Sequence, residues 1–234
     1  MIRFSGVSFG YRPGQPVLAE VDLALAPGLT LVVGRNGCGK STLLKLAAGI
    51  DPPDAGRIEI DGHDLWRAEV AARAGLAYVP EHPDLTPYAT IAEILALVCD
   101  LRGAPRASAA AALAFSGLDG GLAGRSVREL SMGQRRKAVL AAARIGNPRQ
   151  LLLDEPLEAM DRAGRADVLA WIEDRRAAGA LVLVASHDLE PFAPAAARAL
   201  TVNGGHCLLV DPLPGDTAER GRLLERMARG EPPP

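Results

Sequence analysis

The sequence is short of several features that mark whole classes of protein. It has three cysteines, Cys38, Cys99 and Cys207, which are widely spaced and form no CxxC pair. That pattern argues against a disulfide framework or a zinc site. No apolar run approaches the roughly 18 residues of a membrane-spanning helix, and the first ten residues lack the uninterrupted apolar stretch of a signal peptide. We therefore expect reduced thiols in a cytoplasmic protein.

The sequence also lacks a dominant charge. It contains 26 Lys and Arg residues against 28 Asp and Glu residues, for a formal net charge of -2. A near-neutral chain has no bulk attraction for nucleic acid or for an anionic membrane surface, so we expect no nucleic-acid partner. Because 48% of the residues are apolar and 23% are charged, the composition is that of a folded protein. Its 234 residues allow one large domain or two small ones.

Short strands alternate with helices over most of the chain. Apolar residues alternate over 2–11, with a break at Ser5-Gly6, and again over 17–25, which predicts an antiparallel edge sheet. Continuous apolar runs predict buried strands, as in a parallel sheet, at 29–33, 150–153 and 180–185. The remaining predicted elements are strands at 57–60 and 76–79 with a short helix between them, helices at 41–48 and 162–178, and a hairpin of 199–202 and 207–210. The fold class is therefore α/β, a mainly parallel sheet with an antiparallel β edge subdomain.

A helical subdomain is predicted to interrupt this core. Strand signals disappear over 86–137, and helical patterns occupy 90–101, 106–116 and 133–145. We therefore predict a single domain in which 1–85 and 138–212 form the core, 86–137 the inserted α-helical subdomain and 213–234 a C-terminal tail. The last four residues, Glu231 to Pro234, are predicted to be disordered.

A glycine-rich loop follows the first predicted buried strand. Residues 34–41, GRNGCGKS, match the pattern G-x-x-x-x-G-K-[ST] between a strand and a helix, the context that a phosphate-binding P-loop requires. Backbone N–H groups would point at phosphate oxygens, Lys40 would bridge the β- and γ-phosphates, and Ser41 would ligate Mg²⁺. The predicted nucleotide contacts are Gly34, Asn36, Gly37, Cys38, Gly39, Lys40, Ser41 and Thr42. The core is thus predicted to be that of a P-loop NTPase.

Two further segments carry candidate catalytic residues. Asp154 and Glu155 end an apolar strand, so Asp154 can reach the Mg²⁺ shell while Glu155 points at an attacking water. Ser131 stands in an N-cap position before a predicted helix, and Gly133 allows a close backbone approach to a ligand. Taken alone, the first segment also fits a buried strand that runs into an acidic turn, and the second fits an ordinary helix cap.

The order of these segments resembles that of the ATP-binding cassette (ABC) ATPases. The resemblance covers nearly the whole chain and is carried by 34–42, 130–134, the Asp154-Glu155 pair and Ser186-His187-Asp188. The family signature is usually Leu-Ser-Gly-Gly-Gln, so Met132 is a departure, whereas Ser131, Gly133 and Gln134 match. The resemblance implies that the signature contacts the γ-phosphate of ATP held by another subunit.

The resemblance assigns roles to three more residues. Tyr11, upstream of the P-loop, would stack on the adenine, although an edge-strand aromatic that merely packs is the alternative. His187 would act as a hydrogen-bonding sensor of the γ-phosphate. Asp161 would lie in the loop that communicates across a dimer of ATPase subunits.

Glu81 is the informative departure from the family pattern. Many cassette proteins have Gln at this junction between the core and the helical subdomain. A carboxylate could still ligate Mg²⁺ or act in catalysis, but while ionised it cannot donate a hydrogen bond; a solvated loop glutamate is the alternative. Glu81, Leu85-Thr86 and Leu101-Arg102-Gly103 resemble the ABC-2-type exporter branch.

The family also implies partners. A second copy of this chain, or a homologous ATPase subunit, would sandwich two ATP molecules with it, and a separate transmembrane permease subunit would receive the motion of dimer closure. The protein would be cytoplasmic and peripheral on the inner face of the cell membrane. The alternatives are the energising ATPase of a vitamin or metal importer, a soluble non-transport ABC ATPase and, outside the family, a metabolic P-loop kinase.

Overall fold

The computed structural model describes residues 1–231. It contains two β-sheets. Residues 232–234, which fall in the segment predicted to be disordered, lie outside the described part. The first sheet is antiparallel, with strand order β2-β1-β4-β5. Its strands are β1 (Ile2–Phe9), β2 (Leu18–Leu25), β4 (Ala55–Ile60) and β5 (His63–Asp64). The pairing of β1 with β2 shifts register between Phe4 and Val7, where the sequence predicts a break.

The second sheet has six strands in the order β10-β9-β3-β8-β7-β6. These are β3 (Gly28–Val33), β6 (Leu76–Val79), β7 (Gln150–Asp154), β8 (Leu181–Ala185), β9 (Ala196–Asn203) and β10 (His206–Val210). All neighbours pair in parallel except β9 and β10, which form the predicted hairpin. Every residue of β7 and β8 is buried, because both faces of the sheet are covered, which is why these strands are continuous apolar runs.

Seven α-helices surround the sheets in the described part of the chain. They are α1 (Lys40–Ala48), α2 (Glu69–Arg73), α3 (Ile91–Leu101), α4 (Ala107–Ser116), α5 (Met132–Arg144), α6 (Arg162–Ala177) and α7 (Thr217–Ala228). No helix among residues 1–231 combines the length and apolarity needed to span a membrane.

The buried apolar residues form three clusters. One lies between the two sheets and includes α1, and a second lies on the other face of the parallel sheet under α5, α6 and α7. The third holds α3, α4 and α5 together. Helix α5 contributes Leu140 to the second cluster and Ala138 and Ala141 to the third, so the predicted boundary after residue 137 lies inside a continuous helix.

The segment named a C-terminal tail from the sequence contains a helix, α7. It is capped by Asp216 through a hydrogen bond from the Glu219 N–H (2.8 Å). Leu223, Leu224 and Met227 are buried against the second cluster. The sequence analysis did not predict this helix, and it also did not predict the short strand β5. The apolar spacing of α7 and its Asp cap were readable as a helix signal.

Candidate active site

The P-loop joins the end of β3 to the start of α1. Gly34 and Gly39 have positive φ angles of 147° and 113°. A Cβ on Gly34 would lie 2.8 Å from Cys38 Sγ, and one on Gly39 would lie 3.0 Å from Val17 Cγ1. Only glycine fits this path. No side chain caps the start of α1, so its first N–H groups are left for an anion, as the sequence predicts.

Lys40 lies across this loop. Its Nζ donates hydrogen bonds to the carbonyl oxygens of Gly34 (2.9 Å) and Arg35 (3.2 Å). The ammonium group is therefore held at the loop by neutral acceptors. Because a phosphate oxygen is a charged acceptor, it would bind this group more strongly than either carbonyl does.

Asp154 and Ser41 form the candidate metal site. Asp154 ends β7 with 3% of its surface exposed, and the Ser41 side chain is its neighbour at the start of α1. Burial raises the pKa of Asp154, and the nearby Ser41 hydroxyl opposes that shift. A buried carboxylate and a half-buried hydroxyl at the P-loop suit Mg²⁺, which retains several waters and takes further oxygens from phosphates.

Glu81 does not complete a preformed metal site with Ser41 and Asp154. Within residues 1–231 no group of three or more His, Cys, Asp or Glu side chains is arranged to hold a metal ion. The Glu81 side chain is 41% exposed, and its carboxylate lies 3.9 Å from His82 Nε2. Glu81 is near enough to Asp154 for its charge to raise the pKa of that carboxyl further. Its assignment as a Mg²⁺ ligand thus stays a prediction.

Glu155 and His187 meet at the carboxyl ends of adjacent parallel strands. The Glu155 carboxylate accepts hydrogen bonds from the His187 backbone N–H (2.9 Å) and the Ser186 hydroxyl (3.0 Å). His187 Nδ1 lies 2.9 Å from Glu155 Oε2. The Glu155 side chain is 13% exposed and that of His187 is 70% exposed, so the pair can receive a water and a ligand from solvent. This is the arrangement of a general base with a partner that orients it.

Tyr11 stands beside the nucleotide loop. Its ring packs edge-on against Phe9, with centroids 4.9 Å apart, and its hydroxyl lies 3.3 Å from Thr42 Oγ1. The side chain is 57% exposed. One edge of the ring thus packs against Phe9, while much of the ring stays accessible to a base. This is compatible both with stacking on the adenine and with a packing role alone.

The signature segment caps α5. Ser131 Oγ accepts a hydrogen bond from the Gln134 N–H (3.2 Å), and Gln134 Oε1 accepts one from the Ser131 N–H (2.9 Å). Ser131 and Met132 are exposed. A Cβ on Gly133 would lie 2.9 Å from the Ala159 carbonyl oxygen, so glycine is required there for close packing. Within residues 1–231, no hydrogen bond joins this segment to the P-loop of the same chain.

Asp161 has a clear structural role. Its Oδ1 accepts a hydrogen bond from the Gly164 N–H (2.8 Å) at the start of α6, and this bond lowers the pKa of the carboxyl. Its Oδ2 lies 3.6 Å from Lys137 Nζ on α5. The structure therefore connects Asp161 to the helix that begins with the signature.

Two functional candidates were missed from the sequence. Arg136, on α5, is buried and donates hydrogen bonds to backbone carbonyls beside both Glu81 and Glu155. Tyr78, on β6, has a buried hydroxyl without a hydrogen-bond partner, and burial together with the charge of Asp154 raises its pKa. No linear motif identifies either residue, because both depend on segments that meet only in the fold.

A family model described as ABC transporter matches residues 18–158. The chain belongs to the ABC transporter family. Its similarity to the sn-glycerol-3-phosphate import ATP-binding protein UgpC of Chromohalobacter salexigens is 36% identity over 88% of this chain and 56% of UgpC. The Fe(3+) ions import ATP-binding protein FbpC of Mesorhizobium japonicum is 38% identical over 87% of this chain and 58% of FbpC. The cell division ATP-binding protein FtsE of Escherichia coli K12 is 33% identical over 88% of this chain and 96% of FtsE.

Solved structures of ABC proteins share the fold. An ATP-binding subunit of an ABC transporter matches with a TM-score of 0.81 and 24% identity over 90% of each chain. The dimeric bacterial ABC transporter cassette MJ0796 matches with a TM-score of 0.79 and 25% identity, over 90% of this chain and 98% of that one. The predicted fold class is thus confirmed, and the chain is an ABC transporter ATPase domain. It spans little more than half the length of the import proteins UgpC and FbpC.

Proposed function

We propose that this ABC ATPase domain binds and hydrolyses ATP to drive a separate membrane protein. The observation that carries the proposal is the convergence of three groups at one end of the parallel sheet. These are the uncapped P-loop helix with Lys40, the Ser41–Asp154 pair, and the Glu155–His187 pair. A phosphate cradle, oxygen ligands for Mg²⁺ and a placed base are the parts that phosphoryl transfer to water requires.

The residues divide the work of hydrolysis. Lys40 and the N–H groups at the start of α1 bind the phosphates and offset their charge. Ser41 and Asp154 would hold Mg²⁺, which would neutralise charge at the phosphates. Glu155 accepts a proton from the attacking water, while His187 orients the carboxylate and contacts the γ-phosphate.

A complete site is proposed to need a second subunit. Ser131, Gly133 and Gln134 are placed by their own helix cap and have no hydrogen bond to the P-loop of the same chain within residues 1–231. The exposed Ser131 and Met132 are free to face another protein. A second copy of this chain, or a homologous ATPase subunit, would bring them to ATP across the interface; the dimeric form of MJ0796 supports this arrangement.

The membrane partner is proposed to be a permease subunit that docks near residues 81–101. Tyr88, Leu97 and Leu101 are large apolar side chains in this region with 75%, 56% and 77% exposure. The protein would then be cytoplasmic and peripheral on the inner face of the membrane. Glu81 favours the exporter branch, whereas the import proteins among the relatives favour an importer equally. We therefore propose a role in transport, with import and export equally supported.

The direct test is ATP turnover by the purified chain with and without Mg²⁺. Lys40→Ala should weaken ATP binding at least about tenfold, because a charged hydrogen bond to phosphate contributes about 1.5–3 kcal/mol. Lys45→Ala, a change of the same type on α1, is the matched control. Wild-type binding of ATP without any turnover, in the presence of Mg²⁺ and at concentrations that permit dimers, would refute the proposed hydrolysis.

A further inference from the structure

Arg136 is a buried charged side chain beside the catalytic residues. Only 3% of it is exposed, and it lies on α5 five residues after Ser131. Such burial is unfavourable for a charged group, and it lowers the pKa of the guanidinium. A buried guanidinium is stable only when its N–H groups are hydrogen-bonded. The acceptors of these hydrogen bonds therefore identify the segments that Arg136 holds in place.

The partners of Arg136 are backbone carbonyls from two separate segments. Nη1 donates to the carbonyl oxygens of Pro80 and Glu81 (2.8 Å for Glu81), where the core leads into the helical subdomain. Nη2 donates to those of Asp154 (3.2 Å) and Glu155 at the end of β7. One planar group thus joins α5, the Glu81 segment and the catalytic strand end. Its ion pair is long, 3.8 Å to the half-exposed Glu158.

The Glu155 backbone needs such support. Its φ angle is +47°, a left-handed conformation that is unfavourable for any residue with a side chain. The Glu155 N–H donates to the Ala185 carbonyl (2.8 Å), and its own carbonyl accepts from Arg136 and from the Glu158 N–H (3.2 Å). These contacts fix the peptide planes on both sides of the residue, and thereby the direction in which its carboxylate points.

We propose that Arg136 is a positioning residue for ATP hydrolysis, which holds Glu155 in its left-handed conformation and ties that conformation to the Glu81 segment and to α5. This rests on the proposed function, because it assumes that Glu155 activates water. A shift of α5 relative to the core would move the guanidinium and release the Glu155 carbonyl. Glu155 would then point at the attacking water only while α5 is packed against the core.

Arg102 provides a matched comparison within the same chain. Its guanidinium is also largely buried and donates to backbone carbonyls, those of Ala143 (3.3 Å), Ile145 and Leu76 (3.3 Å). It likewise links the core to the helical subdomain, but it contacts neither Glu155 nor Glu81. Loss of Arg102 therefore reports the structural cost of removing such a group without disturbing the base.

The first measurement is steady-state ATPase activity of Arg136→Lys, Arg136→Gln and Arg102→Gln. Lysine and glutamine carry all their N–H donors on one nitrogen, whereas the Arg136 guanidinium places a separate nitrogen at each segment. Both Arg136 variants should therefore lose at least about tenfold in kcat, with KM for ATP within about twofold. Arg102→Gln should keep kcat within about twofold. Equal losses of kcat in the Arg102 and Arg136 variants would overturn the proposal.

A double-mutant cycle separates positioning from general damage. In a Glu155→Gln background there is no base to aim, so Arg136→Lys should lower the residual single-turnover rate less than twofold. The same tenfold loss in both backgrounds would show that Arg136 acts independently of Glu155 and would overturn the proposal. Failure of both Arg136 variants to fold while Arg102→Gln folds would overturn it too, because the residue would then be required for folding.

Hydrogen exchange tests the link without using turnover. The amides of Glu155 and Glu158 should exchange at least about tenfold faster in Arg136→Lys than in wild type and Arg102→Gln. Unchanged exchange at both amides would overturn the proposal. A wild-type protein that binds ATP without hydrolysing it would refute the proposed function alone, and the exchange rates would still decide whether Arg136 holds Glu155.

Discussion

Glu155→Gln should separate chemistry from binding. The substitution leaves the P-loop, Lys40 and the Ser41–Asp154 pair unchanged, so ATP affinity should stay within about threefold of wild type. The fold should tolerate it, because one side-chain oxygen can still accept from the His187 N–H. The Ser186 hydroxyl and a neutral His187 Nδ1 can each accept a hydrogen bond from the new amide. Stability should therefore change by no more than about 1 kcal/mol.

Turnover should fall much further. General-base catalysis contributes typically 10²–10⁴-fold, so kcat should decrease by about that factor, equivalent to about 3–5 kcal/mol of transition-state stabilisation. The assay is phosphate release under saturating MgATP, with nucleotide binding measured by calorimetry and dimerisation by size exclusion. Glu190→Gln makes the same chemical change at an exposed position near His187 and should retain wild-type turnover. Wild-type kcat in Glu155→Gln would show that Glu155 is not the base.

Three further changes test other parts of the site. Burial raises the pKa of Asp154, so its ionised form destabilises the nucleotide-free fold above that pKa. Asp154→Asn should raise the Tm of the nucleotide-free protein at pH 7, and this gain should shrink as pH falls towards the unfolded pKa of 3.8. Mg²⁺-dependent turnover should be lost, and an unchanged or lower Tm at pH 7 would contradict the reasoning. A maleimide should inactivate the enzyme through Cys38, with protection by MgATP, because burial raises the pKa of Cys207 to about 12 and keeps it protonated. Equal inactivation of Cys38→Ser would contradict this assignment. Glu81→Gln should keep most of the basal turnover, whereas Glu81→Ala should lose partner stimulation in reconstituted membranes; equal stimulation of wild type and both variants would exclude a coupling role.

The parts of the site predicted from sequence are those encoded by contiguous residues. Gly34 to Ser41 form a loop whose chemistry depends on local backbone conformation, so its pattern indicated the phosphate cradle directly. The contact between Glu155 and His187 was not predicted as a contact, although both residues were named. It follows from the parallel pairing of β7 with β8, which brings their carboxyl ends together.

Arg136 marks the limit of that approach. Its acceptors lie 56, 55, 18 and 19 residues away along the chain, and each is a backbone carbonyl whose identity leaves no trace in the sequence. An arginine after a helix cap reads as an ordinary exposed helix residue until the tertiary fold is known. The missed helix α7 is different, since its Asp cap and apolar spacing were present in the sequence.

The membership of α5 in two apolar clusters has a consequence for how the protein melts. A helix that is buried on one side by the catalytic core and on the other by α3 and α4 cannot lose its contacts with either without weakening both. Partial unfolding of the inserted helices would therefore extend into the core rather than stop at a linker. The core and the inserted helical subdomain should consequently unfold together in one cooperative transition, even though they are formed by different segments of the chain.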